Sequence, residues 1–119
     1  MSLSGVVLVA LGAAVGAPLR YVVDRAVQRR TPGAFPWGTL TVNVMGSFVL
    51  GVVAASGSAE AGLLVGVGWC GALTTFSTFG YETERLAAAG SELTAALNAV
   101  GSVLAGLLAA TLGWWLGSL

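Results

Sequence analysis

Charged residues along the chain are confined to short clusters, and long apolar runs lie between the clusters. Four runs contain no charged residue: residues 1–19, 31–59, 61–81 and 93–119. A helix of roughly 20 apolar residues can cross the hydrocarbon core of a bilayer, which is about 30 Å thick. The pattern therefore predicts an all-α membrane protein with four transmembrane helices, at about residues 3–23, 37–55, 61–81 and 92–115. The connections are too short for a second domain, so residues 1–119 form one domain.

The composition agrees with a membrane environment. Only 8% of the residues are charged, against about 25% in a typical soluble domain. Hydrophobic residues make up 56% of the chain, and the mean hydropathy is +0.90. The first apolar run has no basic residues before it, so we expect it to be a retained helix rather than a cleavable signal peptide.

The residue types available exclude several classes of function. The chain has no His and only one cysteine, Cys70, so it offers neither a zinc or haem site nor an intrachain disulfide. No nucleophile–base pair points to an enzyme. A nucleic-acid partner would require a basic surface, which the five basic residues do not provide.

The third apolar run is rich in residues that form helices poorly. Four glycines (Gly62, Gly66, Gly68 and Gly71) precede the segment TTFSTF at residues 74–79. This pattern predicts a helix that breaks in mid-membrane and frees backbone groups, as discontinuous helices do at ion sites. The alternative is that the small residues only allow close helix packing. Composition alone leaves both interpretations open.

Polar residues form stripes on single faces of the predicted helices. Thr39, Asn43 and Ser47 are spaced four apart in the second helix, as are Asn98 and Ser102 in the fourth. Such residues often only bond neighbouring helices, for about 0.6 kcal/mol on average. Together with the third run, however, the stripes predict one narrow polar track. The middle of each span lacks the carboxylates on which proton relays and cation antiporters rely.

Two phenylalanines in the third run suggest the sign of the ion. Phe76 and Phe79 are three positions apart and face roughly the same way on a helix. The edge of an aromatic ring carries partial positive charge, so two rings presented edge-on can solvate a small anion. Ordinary packing in the core or against lipid is the alternative for both rings.

Three segments of the chain resemble the Fluc (CrcB) family of fluoride channels. They are GAPLRY at residues 16–21, GTLTVNVMGSF at residues 38–48, and GALTTFSTF at residues 71–79, the last followed by Glu82. The segments lie in order along the first three predicted helices, and chain length and helix number also agree. The TTFSTF run is the most specific of these matches. The fourth helix resembles the family least, mainly at Ser102 and its small neighbours.

The resemblance implies a fluoride-selective channel of the cell membrane that exports fluoride passively and so reduces its toxicity. It implies an antiparallel dimer, with a structural sodium ion at its centre bound by the backbone carbonyls of Gly71 and Thr74. The residues implied for the fluoride pathway and its vestibule are Phe76, Phe79, Asn43, Ser102 and Thr39, with Arg20 at a pore mouth.

Three polar residues have open roles. Family members often have Tyr where Asn98 falls, which leaves the anion route along the fourth helix undecided. Arg20 would concentrate anions at a pore mouth, or it would extend to the membrane interface as a snorkelling side chain. Glu82 lies at the end of the third predicted span, where it is a vestibule residue or an interfacial carboxylate.

The distribution of arginine predicts an orientation. Arg25, Arg29, Arg30 and Arg85 fall on one side of the four spans, and the opposite side has no arginine. The positive-inside rule places the arginine-bearing side in the cytoplasm. The resemblance implies dual topology, so this bias predicts a subunit that prefers one orientation and pairs with an oppositely oriented homologue. The rival is a homodimer that tolerates the bias.

Two other functions fit a chain of four hydrophobic helices. One is a small multidrug-resistance-type transporter, which should have a membrane-embedded Glu in its first span. Residues 3–19 contain no Glu. The other is a non-conducting membrane scaffold, in which the polar stripes serve only helix packing.

Overall fold

The computed structural model describes residues 2–119, and its regular structure is helical. Helix α1 spans Leu3–Arg30. Ser2 is its N-cap residue, and the Ser2 side chain accepts a hydrogen bond from the Gly5 amide. The linker predicted from Asp24 is helical as far as Arg30. The sequence DRAVQRR at residues 24–30 is made mostly of good helix formers, and a helix is not obliged to end at the membrane surface. The loop is confined to residues 31–36.

The second hydrophobic helix, α2, spans Trp37–Ser56 and ends at Gly57. The φ angle of Gly57 is 70°, a left-handed conformation that glycine adopts without steric penalty. The chain then turns directly into the third hydrophobic segment, whose first residues are capped by the Ser58 hydroxyl.

The third hydrophobic segment is not one regular helix. It comprises α3 (Ala59–Ala61), a π-helix (Gly62–Cys70), α4 (Gly71–Leu73) and α5 (Ser77–Ala88). Between α4 and α5 the helix is interrupted at residues 74–76, where Thr74 is extended, with a ψ angle of 159°. The nine-residue π-helix is a finding that the sequence did not predict. Helix α6 completes the fold at Glu92–Gly117.

Four segments are long and apolar enough to cross a membrane, which confirms the all-α prediction and the helix number. They are Leu3–Arg30, Trp37–Ser56, Ala59–Ala88 and Glu92–Gly117. Helix α2 packs mainly along α6, and α1 packs along the π-helix.

Glycines bring α1 and the π-helix into close contact. A side chain on Gly12 would collide with the Leu64 carbonyl, and one on Gly16 with the Trp69 carbonyl. Glycines four positions apart in α1 therefore allow the close approach that small residues provide between membrane helices. The π-helix thus packs directly against the backbone of α1.

Much of the outer surface of the subunit is apolar. In the most apolar windows of α1 and α6, only 11% of the residues are buried. Large exposed side chains include Leu11, Val15, Leu104 and Leu108. A continuous apolar surface of this kind fits lipid or another protein subunit rather than water.

Candidate functional site

The interruption of the third segment is the centre of the candidate site. The Thr74 amide still bonds the Cys70 carbonyl at 2.9 Å, as in a helix, and the Thr74 hydroxyl bonds the same oxygen at 2.9 Å. The chain leaves the helical path immediately afterwards, and α5 begins at Ser77. The backbone groups near Thr75 must therefore find partners outside the helix.

A side chain of α2 supplies those partners. The Thr75 amide donates to Asn43 Oδ1 at 2.8 Å, and Asn43 Nδ2 donates to the Thr75 carbonyl at 3.0 Å. One amide side chain thus satisfies both backbone groups of the residue at the middle of the interruption. Asn43 retains one further N–H that these two bonds do not use.

The Thr75 side chain bonds the first turn of α5, beside its N-cap residue Phe76. Its Oγ1 accepts a hydrogen bond from the Thr78 amide at 3.2 Å and donates to Thr78 Oγ1 at 3.2 Å. A threonine hydroxyl bonded to an amide three residues later is a typical helix N-cap interaction. The side chain of Thr75 therefore fixes the direction in which α5 leaves the interruption.

Two backbone carbonyls beside the interruption lose their helical partners. In a continuous helix the Gly71 carbonyl would accept from the Thr75 amide, and the Thr74 carbonyl from the Thr78 amide. Here the Thr75 amide bonds Asn43, and the Thr78 amide bonds the Thr75 hydroxyl. The two carbonyl oxygens predicted to bind a cation therefore receive no bond from the amide that would cover them.

Six of the predicted site residues line one groove with a cavity volume of about 350 Å³. They are Asn43, Gly71, Thr74, Phe76, Phe79 and Ser102. The groove lies between α2, the interrupted segment and α6. The structure thus brings together residues that are up to 59 positions apart in the sequence, from Asn43 to Ser102. Their individual roles stay predictions.

The two phenylalanine rings contact each other at this groove. Their centroids are 5.8 Å apart, and the ring planes are inclined by 50°. An inclined pair presents ring edges, which carry partial positive charge, rather than two stacked faces. Phe76 is 82% exposed in the isolated subunit, which places it among the most exposed of the large apolar side chains.

The remaining two predicted residues, Arg20 and Thr39, line a second and smaller cavity of about 170 Å³. Thr39 is buried, and its hydroxyl donates to Glu82 Oε1 at 2.6 Å. The hydroxyl has a single proton, so in this arrangement Thr39 has none to offer an anion. The Thr39–Glu82 contact joins residues 43 positions apart, and no spacing in the sequence predicts it. Thr75 lines both cavities.

A second buried amide connects α5 and α6. Asn98 is 1% exposed, and its Nδ2 donates to Thr83 Oγ1 at 2.8 Å. The Thr83 hydroxyl in turn donates to the Phe79 carbonyl at 2.8 Å, and the Ser102 hydroxyl donates to Asn98 Oδ1 at 3.2 Å. The last bond confirms that Asn98 and Ser102 share one face of the helix. In this state the oxygen of Ser102 is free to accept, while its proton is engaged.

Among residues 2–119 no three His, Cys, Asp or Glu side chains converge in a way that would hold a metal ion. Carbonyl and hydroxyl oxygens remain as ligands for a cation at the interruption. Oxygens of this kind, from unwound backbone in membrane helices, bind sodium in other membrane proteins.

Comparison with known proteins covers almost the whole chain. Residues 7–114 match the family described as "CrcB-like protein, Camphor Resistance (CrcB)". The "Fluoride-specific ion channel FluC 1" of Streptomyces avermitilis is 56% identical over 115 residues, covering 91% of each chain. The protein of the same name from Frankia casuarinae is 57% identical over 118 residues, covering 89% of this chain and 90% of its own. "Fluoride-specific ion channel FluC 2" of Haloarcula marismortui is 50% identical over 108 residues, covering 90% and 88%.

Proposed function

Because this chain belongs to the CrcB-like family, we propose that it is a fluoride-selective channel that lets fluoride leave the cell passively and so lowers its toxicity. It is a multi-pass membrane protein with four helices that can span a bilayer, and the cell membrane is the site that fits this role. The names of its relatives support the choice of ion. The observation that carries the proposal is the groove in which the two ring edges and the Asn43 amide meet beside the interrupted helix.

The chemistry of the groove suits a small anion. Among the described residues, its lining includes no Asp, Glu, Lys or Arg. Fluoride is strongly hydrated, so a pore must replace its water with closely spaced donors that bind it weakly enough for release. The remaining Asn43 N–H and the ring edges provide weak donors without a fixed negative charge to repel the ion. A fixed positive charge, which would bind the ion tightly, is also absent from this lining.

We infer that the conducting unit is an antiparallel dimer with the interruption at mid-membrane. The groove is open on one side of the single subunit, and the exposed Phe76 ring stands at its edge. A second subunit packed on this face would cover the ring and close the groove into a pore. Interrupted helices at membrane depth require their backbone groups to be buried in protein or to line a cavity, and such a dimer meets that requirement.

The arrangement of helix ends supports one preferred orientation. Asp24 of α1 lies against Gly38, and Thr39 bonds Glu82, so the arginine-rich end of α1 and the end of α5 that carries Arg85 lie on the same side. An arginine-rich side faces the cytoplasm. We propose that this subunit pairs with an oppositely oriented homologue, the alternative being a homodimer. Equal labelling of a carboxyl-terminal tag on both faces of the membrane would contradict a single orientation.

The two uncovered carbonyls fit a sodium ion at the centre of the dimer. Gly71 and Thr74 offer hard, uncharged oxygens that lack their helical amide partners. A bound sodium ion would supply positive charge that connects the subunits at this point. Within the chain itself, these carbonyls would bind the ion, and Asn43 and Thr75 would orient the backbone that carries them.

Efflux from proteoliposomes tests the function. Vesicles loaded with fluoride and containing the purified protein, alone or with an oppositely oriented homologue, should release fluoride within seconds once a potassium ionophore dissipates the membrane potential. Matched vesicles loaded with chloride should retain it. Retention of both ions in every combination would favour the scaffold. Efflux that requires a proton gradient or a cationic drug would favour the transporter.

A further inference from the structure

The backbone alone does not explain why the Gly71 and Thr74 carbonyls at the interruption receive no helical hydrogen bond. The amides that would cover them, those of Thr75 and Thr78, lie one helical turn away along the same chain. A closed helix would satisfy all four groups at once, and an unsatisfied backbone group in a membrane costs several kcal/mol. Other hydrogen-bond acceptors must therefore compete for the amides of Thr75 and Thr78.

We propose that Asn43 and Thr75 are positioning residues that leave the Gly71 and Thr74 carbonyls without helical hydrogen bonds. Their side chains accept hydrogen bonds from the two amides that would otherwise bond these carbonyls. Asn43 Oδ1 accepts from the Thr75 amide at 2.8 Å, and Thr75 Oγ1 accepts from the Thr78 amide at 3.2 Å. For each of the two carbonyls, one side-chain oxygen thus competes for the amide that would bond it in a continuous helix. This inference rests on the proposed sodium site and specifies what maintains it.

Asn43 is suited to this task because it satisfies both sides of Thr75. Its Oδ1 takes the amide, and its Nδ2 bonds the Thr75 carbonyl at 3.0 Å. A hydroxyl or a carboxylate at this position could not accept from the amide and donate to the carbonyl with the same separation of atoms. The residue that the sequence suggests as an anion ligand therefore has a second role, in shaping the cation site.

The neighbouring glycine allows the two elements to approach. A side chain on Gly46 of α2 would collide with the Thr74 side chain. Gly46 and Asn43 are three positions apart and lie on the same face of α2, so the interruption packs directly on the helix that supplies its hydrogen bonds.

The test measures sodium binding without measuring conduction. The thermal unfolding midpoint of the purified dimer is followed as sodium replaces N-methyl-D-glucamine at constant ionic strength. A ligand that binds only the folded state raises the midpoint and saturates. The two informative variants are Asn43→Leu, which removes both amide bonds at similar volume, and Thr75→Val, which replaces only the hydroxyl with a methyl group.

Both variants should raise the half-saturating sodium concentration about tenfold, the order expected when an amide–carbonyl hydrogen bond must first be broken. Thr75→Ser retains the hydroxyl and should stay within about twofold of wild type. Asn98→Leu makes the same chemical change as Asn43→Leu at a buried amide that does not touch the interruption, and it should also stay within about twofold. If Asn43→Leu does not assemble, the half-saturating sodium concentration of Thr75→Val, which is the smaller change, decides whether the inference holds.

The outcomes separate this inference from the proposed function. A wild-type response to sodium that is unchanged in Asn43→Leu and Thr75→Val overturns the inference and leaves the sodium site standing. No wild-type response overturns the sodium site, and the inference with it. Fluoride efflux from wild-type vesicles is measured separately and bears only on the channel itself.

Discussion

Two asparagines in this subunit, the half-buried Asn43 and the buried Asn98, have different roles, and the difference depends on what each one bonds. Asn43 bonds the backbone of the interrupted segment, on both sides of Thr75. Asn98 bonds two hydroxyl groups, those of Thr83 and Ser102, between helices that are regular at that point. The first holds the interrupted segment of the chain in place, whereas the second joins two regular helices. An identical residue type in a membrane helix is therefore informative only with its partners.

The largest effect is expected where the interruption packs on α2. Gly46→Ala places a methyl group where the Thr74 side chain lies, so either α2 or the interruption must shift. We expect fluoride efflux to fall at least about 100-fold, since displacement of the site by about 1 Å is costly. Gly106→Ala is the matched control in the same groove, because its added methyl group meets Ser47 Oγ at an ordinary 3.5 Å. Equal efflux in both variants would show that the packing of Thr74 on Gly46 is unimportant.

Substitution of Asn43 should mainly affect conduction, whereas substitution of Asn98 should mainly affect stability. Asn43→Leu should slow fluoride efflux by about tenfold or more, as the uncovered amide and carbonyl of Thr75 seek other partners. Asn98→Leu should lower the unfolding midpoint, because Thr83 and Ser102 lose their buried partner, while efflux changes less. The check is efflux and thermal unfolding on the same preparations. Identical behaviour of the two variants would break the distinction between the asparagines.

Phe76 and Phe79 connect the interruption with the hydrogen bonds of Asn98, and substitution of either ring should change fluoride efflux. Phe76 lies in the interruption, and the carbonyl of Phe79 accepts the bond from Thr83 that continues to Asn98. Phe76→Ile and Phe79→Ile remove the ring edge and keep an apolar side chain. We expect each to slow efflux by about tenfold, corresponding to about 1.4 kcal/mol of barrier, with dimer assembly retained. Full efflux in both variants would exclude ring edges as fluoride ligands, and size-exclusion chromatography provides the control for assembly.

The smallest effect is expected at Ser102. Ser102→Ala removes one side-chain bond to Asn98, which in a membrane is worth about 0.6 kcal/mol on average. The unfolding midpoint should therefore fall only slightly. A severalfold drop in efflux at this small cost in stability would show that the Ser102 hydroxyl leaves Asn98 to donate to the moving ion. No change in efflux would place Ser102 with Asn98 as a packing residue.

Periodicity in the sequence predicted what depends on local spacing. Four hydrophobic helices, the shared face of Asn98 and Ser102, and the proximity of Phe76 and Phe79 follow from separations of a few residues. The family resemblance read from the TTFSTF run is confirmed by the match over residues 7–114.

Tertiary contacts account for what the sequence did not predict. The bonds between Asn43 and Thr75 span 32 positions, and the Thr39–Glu82 bond spans 43. No periodicity of a single helix specifies such pairs, since they depend on how helices pack. The close contact of the π-helix with the glycines of α1 is also a tertiary contact. The length of α1 beyond residue 23 escaped prediction because charge marks the end of a membrane span and not the end of a helix.

We propose that the groove beside the interruption conducts fluoride in preference to other anions. The most direct measurement is the reversal potential of the purified protein, with its homologue if required, in a planar bilayer with opposing fluoride and chloride gradients. We predict a current that reverses at the equilibrium potential of fluoride. Reversal at the equilibrium potential of chloride, or no current under any pairing, would contradict the account.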